Sequence, residues 1–333
     1  MPAPLRNDSP GLRQSWHPVM RSSELTDAPI RVELLGDAWV LARLNGVISV
    51  FVDKCPHRNA RLSDGCIVRD QLQCPYHGWE FDSAGTCTHI PALGEGATVP
   101  PTSRLQPSAH VQEKYDLIWI APENPVCDIL DIPEWSDPAL SAVWMPCIDI
   151  KATAGQFIDN FLDFGHFPFV HTGTFGAGED ENISPYEVQP AMNGWGFTVD
   201  YHHFINNHED PLVATGKNPL LQPRVMKYSF GAPFICCLRL ELPLANQINA
   251  IAIFLQPLDA HTTRLYCAML RNDFTDQASR DAAVAYELAV LAEDIGILEH
   301  LWDNEIPLEV GQAHTRADRN TVEFRRIMSR LLA

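Results

Sequence analysis

Residues 55–79 read CPHRNARLSDGCIVRDQLQCPYHGW. Cys55-x-His57 is followed, after sixteen residues, by Cys74-x-x-His77 with Gly78 and Trp79 behind it. Two thiolates and two imidazoles in paired short loops are metal-ligand chemistry. They fit a Cys2His2 zinc site, or a [2Fe–2S] centre with two cysteines on one iron and two histidines on the other. Zinc fingers of this ligand type carry their histidine pair together on a helix. Here each loop supplies one Cys and one His between strands, which favours the iron–sulfur reading.

The surroundings of that stretch predict an all-β module. Ile30–Leu35, Ala38–Leu44 and Val47–Asp53 are short apolar runs, with turn pairs Gly36-Asp37 and Asn45-Gly46 between them. Tyr115–Ile120 reads as the closing strand, and Pro122, Pro125, Pro133 and Pro138 mark a linker. The expected division is a tail (1–12), a cluster-bearing module (13–125) and a second domain (126–333). In the second domain a helix from about Gly155 to Phe167 precedes strands at Gly196–Phe204, Phe234–Leu242, Ile248–Leu255 and Thr263–Leu270. A long helix from Asp276 to Trp302 follows, and Asn206–Gln222 reads as a mobile surface loop. Helices before and after grouped strands predict an α+β domain with an antiparallel sheet.

A second constellation lies in residues 159–171, DNFLDFGHFPFVH. Asn160, Asp163 and His166 are three apart and share a helix face. His171, five residues on, would point about 140° away in a regular helix, so both histidines reach one ion only if the helix breaks. Pro168 is the expected breaker. Two histidines with a carboxylate make the facial triad that leaves positions open for O2 on Fe(II). Asp294 supplies the carboxylate: it interrupts the apolar stripe Val284, Leu288, Leu291, Ile295, Leu298 and Trp302, where an ionised group needs a partner or a metal. Its neighbour Glu293 reads as solvated surface.

The 333 residues are 46% apolar and 20% charged, which is ordinary for a globular chain. With 24 basic against 42 acidic residues, a net charge of −18 argues against nucleic acid or an anionic bilayer as partner. No signal-peptide-like or membrane-spanning run is present, so the expected compartment is the cytoplasm, where structural disulfides are disfavoured. Of the nine cysteines, Cys66, Cys87, Cys127, Cys147, Cys236, Cys237 and Cys267 then read as small buried hydrophobes.

Segment 55–79 resembles the Rieske proteins of oxygenases. With the second constellation and the A-E-D-x-x-I-L-E run from Ala292 to Glu299, nearly the whole chain is similar to the catalytic subunit of Rieske non-haem iron oxygenases, in the monooxygenase and demethylase branch. The resemblance implies a helix-grip-like catalytic domain, a [2Fe–2S] cluster on Cys55, His57, Cys74 and His77, and mononuclear Fe(II) on His166, His171 and Asp294. Asp163 would link the two centres across a homotrimer, hydrogen-bonding His166 and a neighbouring chain's His77, with Asn160 close to the iron. Respiratory Rieske proteins join their loops by a disulfide; the matching positions here are Ala60 and Tyr76. The implied activity is O2-dependent hydroxylation or oxidative demethylation of a ring-containing small molecule. No G-x-G-x-x-G follows a strand, so electrons come from a separate NAD(P)H-dependent reductase or ferredoxin. Lys54, Arg58, Arg61 and Arg69 either receive that donor or simply pair with Asp53, Asp64 and Asp70. Phe157, Phe161, Phe164 and Phe169 are candidate pocket residues. The rival readings are an aromatic cis-dihydroxylating dioxygenase, an electron-transfer protein and a zinc-stabilised binding protein.

Overall fold

Left-handed two-residue turns knit the strands that carry the cluster ligands. The strands are β1 (His17–Arg21), β2 (Ile30–Leu34), β3 (Asp37–Leu44), β4 (Val47–Val52), β5 (Cys66–Val68), β6 (Gln71–Gln73), β7 (Glu80–Phe81), β8 (Cys87–His89), β9 (His110–Lys114) and β10 (Leu117–Ala121). They form three antiparallel sheets, ordered β1-β10-β9, β2-β3-β4 and β5-β6-β7-β8. Leu35-Gly36, Asn45-Gly46, Arg69-Asp70 and Tyr115-Asp116 all take positive φ, the geometry whose twist matches a tight hairpin. The first of these turns thus falls one residue before the expected Gly36-Asp37. The computed structural model describes residues 3–94, 96–108, 110–176, 179–207, 210–309 and 311–333. Residues 13–126 make one compact unit; residues 1–12 with 127–333 make the other. Cys55 and Cys74 sit in the core of the first unit, packed with Val40, Phe51, Leu62, Leu72 and Phe81.

The second unit is built on β11 (Ser141–Trp144), β12 (Ile148–Ile150), β13 (Val188–Pro190), β14 (Gly196–Asn206), β15 (Leu221–Gly231), β16 (Ile235–Leu242), β17 (Gln247–Pro257) and β18 (Thr263–Arg271). They form one antiparallel sheet ordered β11-β18-β17-β16-β15-β14-β13, with β12 also on β18. Helices α1 (Ala154–Leu162), α2 (Phe167–Val170), α3 (Pro211–Ala214), α4 (Gln277–Leu298) and α5 (Arg319–Leu331) complete it. Strand β15 runs the length of β14 and was not anticipated. Its Pro223 pairs with Phe204 of β14 but lies beyond the β16 register, so its missing N–H breaks no ladder. The segment read as a loop contains α3, and its His208 and Glu209 lie outside the described residues.

The expected N-terminal tail is docked on the second unit. Leu5 exchanges backbone hydrogen bonds with Ile306 at 2.9 and 3.0 Å. The buried Asn7 donates to the Asp259 and Thr262 carbonyls and accepts from Ala154 N at 2.9 Å, tying down the start of α1. Helix α1 begins at a capping box, Thr153 with Gln156. Its far end is held by α5: Asn320 Nδ2 donates to the Leu162 carbonyl at 2.9 Å, and Arg325 forks onto Asp159 at 3.2 and 2.6 Å. Helix α4 starts on the Asp276 cap and buries Ala283, Leu291, Asp294 and Leu298, a stripe that faces the sheet. Trp302 lies past the helix end and is exposed, so it does not extend that stripe. Nor are all the spare cysteines buried: Cys66 and Cys147 are exposed, the others wholly or partly covered.

Arg325 is buried against Asp159, so removing one partner strands the other's charge. Arg325→Ala should lower stability by roughly 3 kcal/mol, and adding Asp159→Asn should restore part of it, as read by urea unfolding of the double-mutant cycle.

Candidate metal centres

In the first unit the two ligand loops have the same hydrogen-bond pattern. Cys55 N donates to the Ala60 carbonyl at 2.9 Å and Asn59 N to the Cys55 carbonyl at 2.9 Å. Cys74 N donates to the Trp79 carbonyl at 2.8 Å and Gly78 N to the Cys74 carbonyl at 3.1 Å. Asn59 and Gly78, at matching positions, both take positive φ, 57° and 69°. Both cysteines are therefore directed into the core while His57 and His77 stay exposed, their ring centroids 4.4 Å apart. Trp79 stacks flat on His57 at 4.6 Å. Burial, reinforced by the neighbouring Cys74, pushes the Cys55 thiol up to about 12. Two adjoining buried thiols can lose their protons only to a cation, and the two imidazoles cap them on the solvent side. Sulfur inside and nitrogen outside is the donor set a Rieske cluster requires.

The basic residues near this site do not pair as expected. Asp53 is taken by Arg31 at 2.8 Å and by Ser63, and Arg69 reaches Glu80 at 2.8 Å. Among the described residues, Lys54, Arg58 and Arg61 are exposed and form no ion pair with a carboxylate.

In the second unit the chain turns sharply between α1 and α2. Asp163 is extended at the end of α1, and its Oδ1 accepts from Gly165 N at 3.0 Å, an Asx turn. The break therefore precedes Pro168, which sits in the first turn of α2, where a missing N–H removes no bond. His166 and His171 flank α2 at its two ends. Their rings converge: His166 Nε2 and His171 Nε2 are 3.1 Å apart, and Asp294 Oδ1 lies 3.4 and 3.3 Å from them. These are the described residues that group as a three-ligand site.

Outer contacts decide which atoms face inward. His166 Nδ1 points at Asp163 Oδ2 at 3.3 Å, and His171 Nδ1 at Glu293 Oε2 at 3.1 Å. Each Nδ1 thus carries its ring's proton and each Nε2 presents a lone pair. Asn160 Nδ2 donates to Asp294 Oδ1 at 2.8 Å and orients it. Three electron-rich atoms in a triangle of 3.1–3.4 Å suit a cation on one octahedral face. Metal bonds of roughly 2.1 Å at right angles place ligands about 3 Å apart. Without a metal, burial, the largest influence, lowers the His166 pKa, but hydrogen bonds to Asp163 and Asp294 outweigh it and raise it to about 9. Burial raises the Asp294 pKa, yet the two imidazoles hold it down at about 2.

Glu293 was misread as solvated surface. Besides His171 it accepts from Gly173 N at 2.8 Å and Thr174 Oγ1 at 2.6 Å, so it holds the chain after α2 as well as the ring. The signal available in the sequence was a count of acceptors, since two ligating imidazoles need two and Asp163 supplies one. Of the four phenylalanines expected at the pocket, Phe157 and Phe161 line it. Phe164 is core packing against Tyr186, Tyr201 and Tyr228, and Phe169 is exposed.

Residues 15–106 match the family model of the Rieske [2Fe-2S] domain, and residues 150–333 that of the vanillate O-demethylase oxygenase C-terminal domain. The chain belongs to the Rieske non-haem iron oxygenases. Methylxanthine N1-demethylase of Pseudomonas putida is 28% identical to this oxygenase over 96% of the chain and 89% of its own length. The oxygenase component of dicamba O-demethylase from Stenotrophomonas maltophilia is 38% identical over 48% of each. The solved structure of the P. putida CBB5 NdmA QL mutant with theobromine superposes with a TM-score of 0.83 at 28% identity, covering 96% of this chain and 90% of that one. As a member of the family, the oxygenase uses a Rieske [2Fe–2S] cluster, mononuclear iron, O2 and a separate reductase or ferredoxin. No helix among the described residues is long and apolar enough to cross a membrane.

Glu293→Ala frees the His171 ring, and iron affinity should fall 10- to 100-fold by chelator competition, with the cluster absorption unchanged. The raised His166 pKa means that its proton stabilises the metal-free protein fully below roughly 6.5, a contribution lost as pH rises through about 9. Iron competes with that proton, so apparent affinity for Fe(II) should climb from pH 7 toward 9 and then level off.

Proposed function

We propose that this chain is a cytoplasmic O2-dependent monooxygenase that hydroxylates or oxidatively demethylates a ring-containing small molecule, with His166, His171 and Asp294 holding the iron. One observation carries the reading: the free side of the triad opens on a cavity of about 410 Å³. His166, His171, Asp294 and Asn160 share its lining with Phe157, Phe161, Phe167 and Phe175. Aromatic walls beside an open metal face suit a flat, largely apolar substrate held against the iron. Relatives named as an N-demethylase and an O-demethylase support removal of a methyl group from nitrogen or oxygen.

When bound, the cluster supplies single electrons and the iron activates O2. The chain's own residues set the geometry. Asp163 and Glu293 keep both imidazoles in the ligating tautomer, Asn160 fixes one carboxylate oxygen, and the apolar wall excludes water. Asp163 is partly exposed, with its side chain about one-third accessible, as is expected of a group that reaches beyond its own chain. In the proposed homotrimer it bridges His166 to His77 of the partner subunit. Exposed Lys54, Arg58 and Arg61 offer the cluster side to an acidic electron donor.

Purified enzyme with a reductase and a panel of N- and O-methylated ring compounds should consume O2 in step with formaldehyde release. O2 uptake without any product, or a cis-diol product, would contradict the reading. Asp163→Ala, kept loaded with excess Fe(II) to offset the lost His166 partner, should retain the cluster spectrum while turnover falls by roughly 10- to 100-fold. Coupled activity retained in that variant would remove the bridging role.

A further inference from the structure

Strand β15 turns Arg224, Met226 and Tyr228 inward at alternate positions, and all three line the cavity. An arginine on that face is out of character, because a buried guanidinium needs its charge balanced and its N–H groups bonded. Glu179 balances the charge, accepting from Arg224 Nη2 at 2.8 Å. Nε donates to His203 Nε2 at 2.7 Å, so that imidazole stands as an acceptor. Burial and the Arg224 charge push the His203 pKa down to about 3 and keep the ring neutral. Arg224, Glu179 and His203 together therefore carry no net charge.

One end of the guanidinium fork is left over. Among the described residues no protein group bonds Arg224 Nη1, which carries two N–H donors. Nη1 is also not sealed inside the protein: the Arg224 side chain is 7% accessible and lines the cavity. Its place relative to the triad is defined by one aromatic ring. The guanidinium carbon lies 5.5 Å from the centre of the Phe175 ring, and Phe175 stacks on His171 at 4.6 Å. A flat molecule lying along Phe175 can thus turn one edge to the triad and the other to Arg224. Arg271, the other arginine of the lining, forks onto Asp273 at 2.8 and 2.7 Å. A second carboxylate brought to the balanced Arg224 group would leave a net negative charge buried there, whereas a carbonyl oxygen accepts the hydrogen bond and adds none.

We infer that Arg224 is a specificity-determining residue whose Nη1 donates to a neutral exocyclic carbonyl oxygen at the end of the substrate remote from the reacting methyl group. This rests on the monooxygenase reading above and narrows its substrate class to uncharged rings with such an oxygen opposite the methyl-bearing edge. Phe175 supplies the platform between the two ends, and Glu179 keeps the guanidinium in place.

Three probes share a methoxybenzene ring and differ only at the para position. There 4-methoxyacetophenone carries a carbonyl, 4-ethylanisole an apolar ethyl group of similar size, and 4-methoxybenzoate a carboxylate. Calorimetric titration of the iron-loaded wild-type enzyme under anaerobic conditions should favour the ketone over the ethyl compound about 10-fold, and over the carboxylate as well. In Arg224→Met with Glu179→Gln, which removes both charges together, the preference for the ketone over the ethyl compound should disappear. Arg224→Lys keeps the charge opposite Glu179 but lacks the open fork, so it should lose most of that preference too and decides the matter if the double variant does not fold. Equal wild-type affinity for the ketone and the ethyl compound, no binding of either, tighter binding of the carboxylate, or an undiminished ketone preference in a folded variant would overturn the inference. Formaldehyde release coupled to O2 from some other methylated ring would in that event leave the monooxygenase reading standing, whereas its absence from every compound would remove that reading too.

Discussion

Two imidazole lone pairs and a carboxylate oxygen, all within 3.4 Å of one another, cannot face each other in a buried site unless a cation or a proton lies between them. Much of the second unit serves to hold that arrangement. Asp163 and Glu293 grip the outer nitrogens, Asn160 grips the carboxylate, and α5 pins the end of α1 from which Asn160 and Asp163 project. Without those outer contacts the rings would turn, the tautomers would be free to exchange, and the three inward atoms would separate. In the metal-free protein a proton on His166 eases the repulsion, and the metal takes over that role when it binds.

The first unit solves a related problem with softer ligands. Two loops with matched backbone hydrogen bonds bring a pair of thiols together inside an apolar core and leave a pair of imidazoles at the surface. The polarity gradient across those few ångströms suits an electron carrier. The sulfur side is insulated, and the histidine side is exposed.

Features that depend on local spacing were legible in the sequence. Cys55, His57, Cys74 and His77 stand out because each pair occupies one tight turn, and His166, His171 and Asp294 because one short segment and one helix carry them. Features that depend on distant packing were not. The break after α1 was foreseen but placed at Pro168, whereas the Asp163 side chain makes it by closing on Gly165. Glu293 looked solvated because helical periodicity describes α4 alone and says nothing of the chain after α2 that folds over it. Strand β15 was missed although its burial alternates, since Pro223 masks a ladder that begins only at Val225 on its β16 side. Phe164 and Phe169 belong to the same class, their fates decided by which side of the turn they fall on.

Two distinct iron centres in one chain set a metal and sulfide content that elemental analysis reads out. Iron and acid-labile sulfide measured on the purified protein should give three irons to two sulfides per chain, and Asp294→Ala should lose about one iron while the visible cluster spectrum persists. Zinc in place of iron, or two irons in the native protein with no loss in the variant, would contradict it.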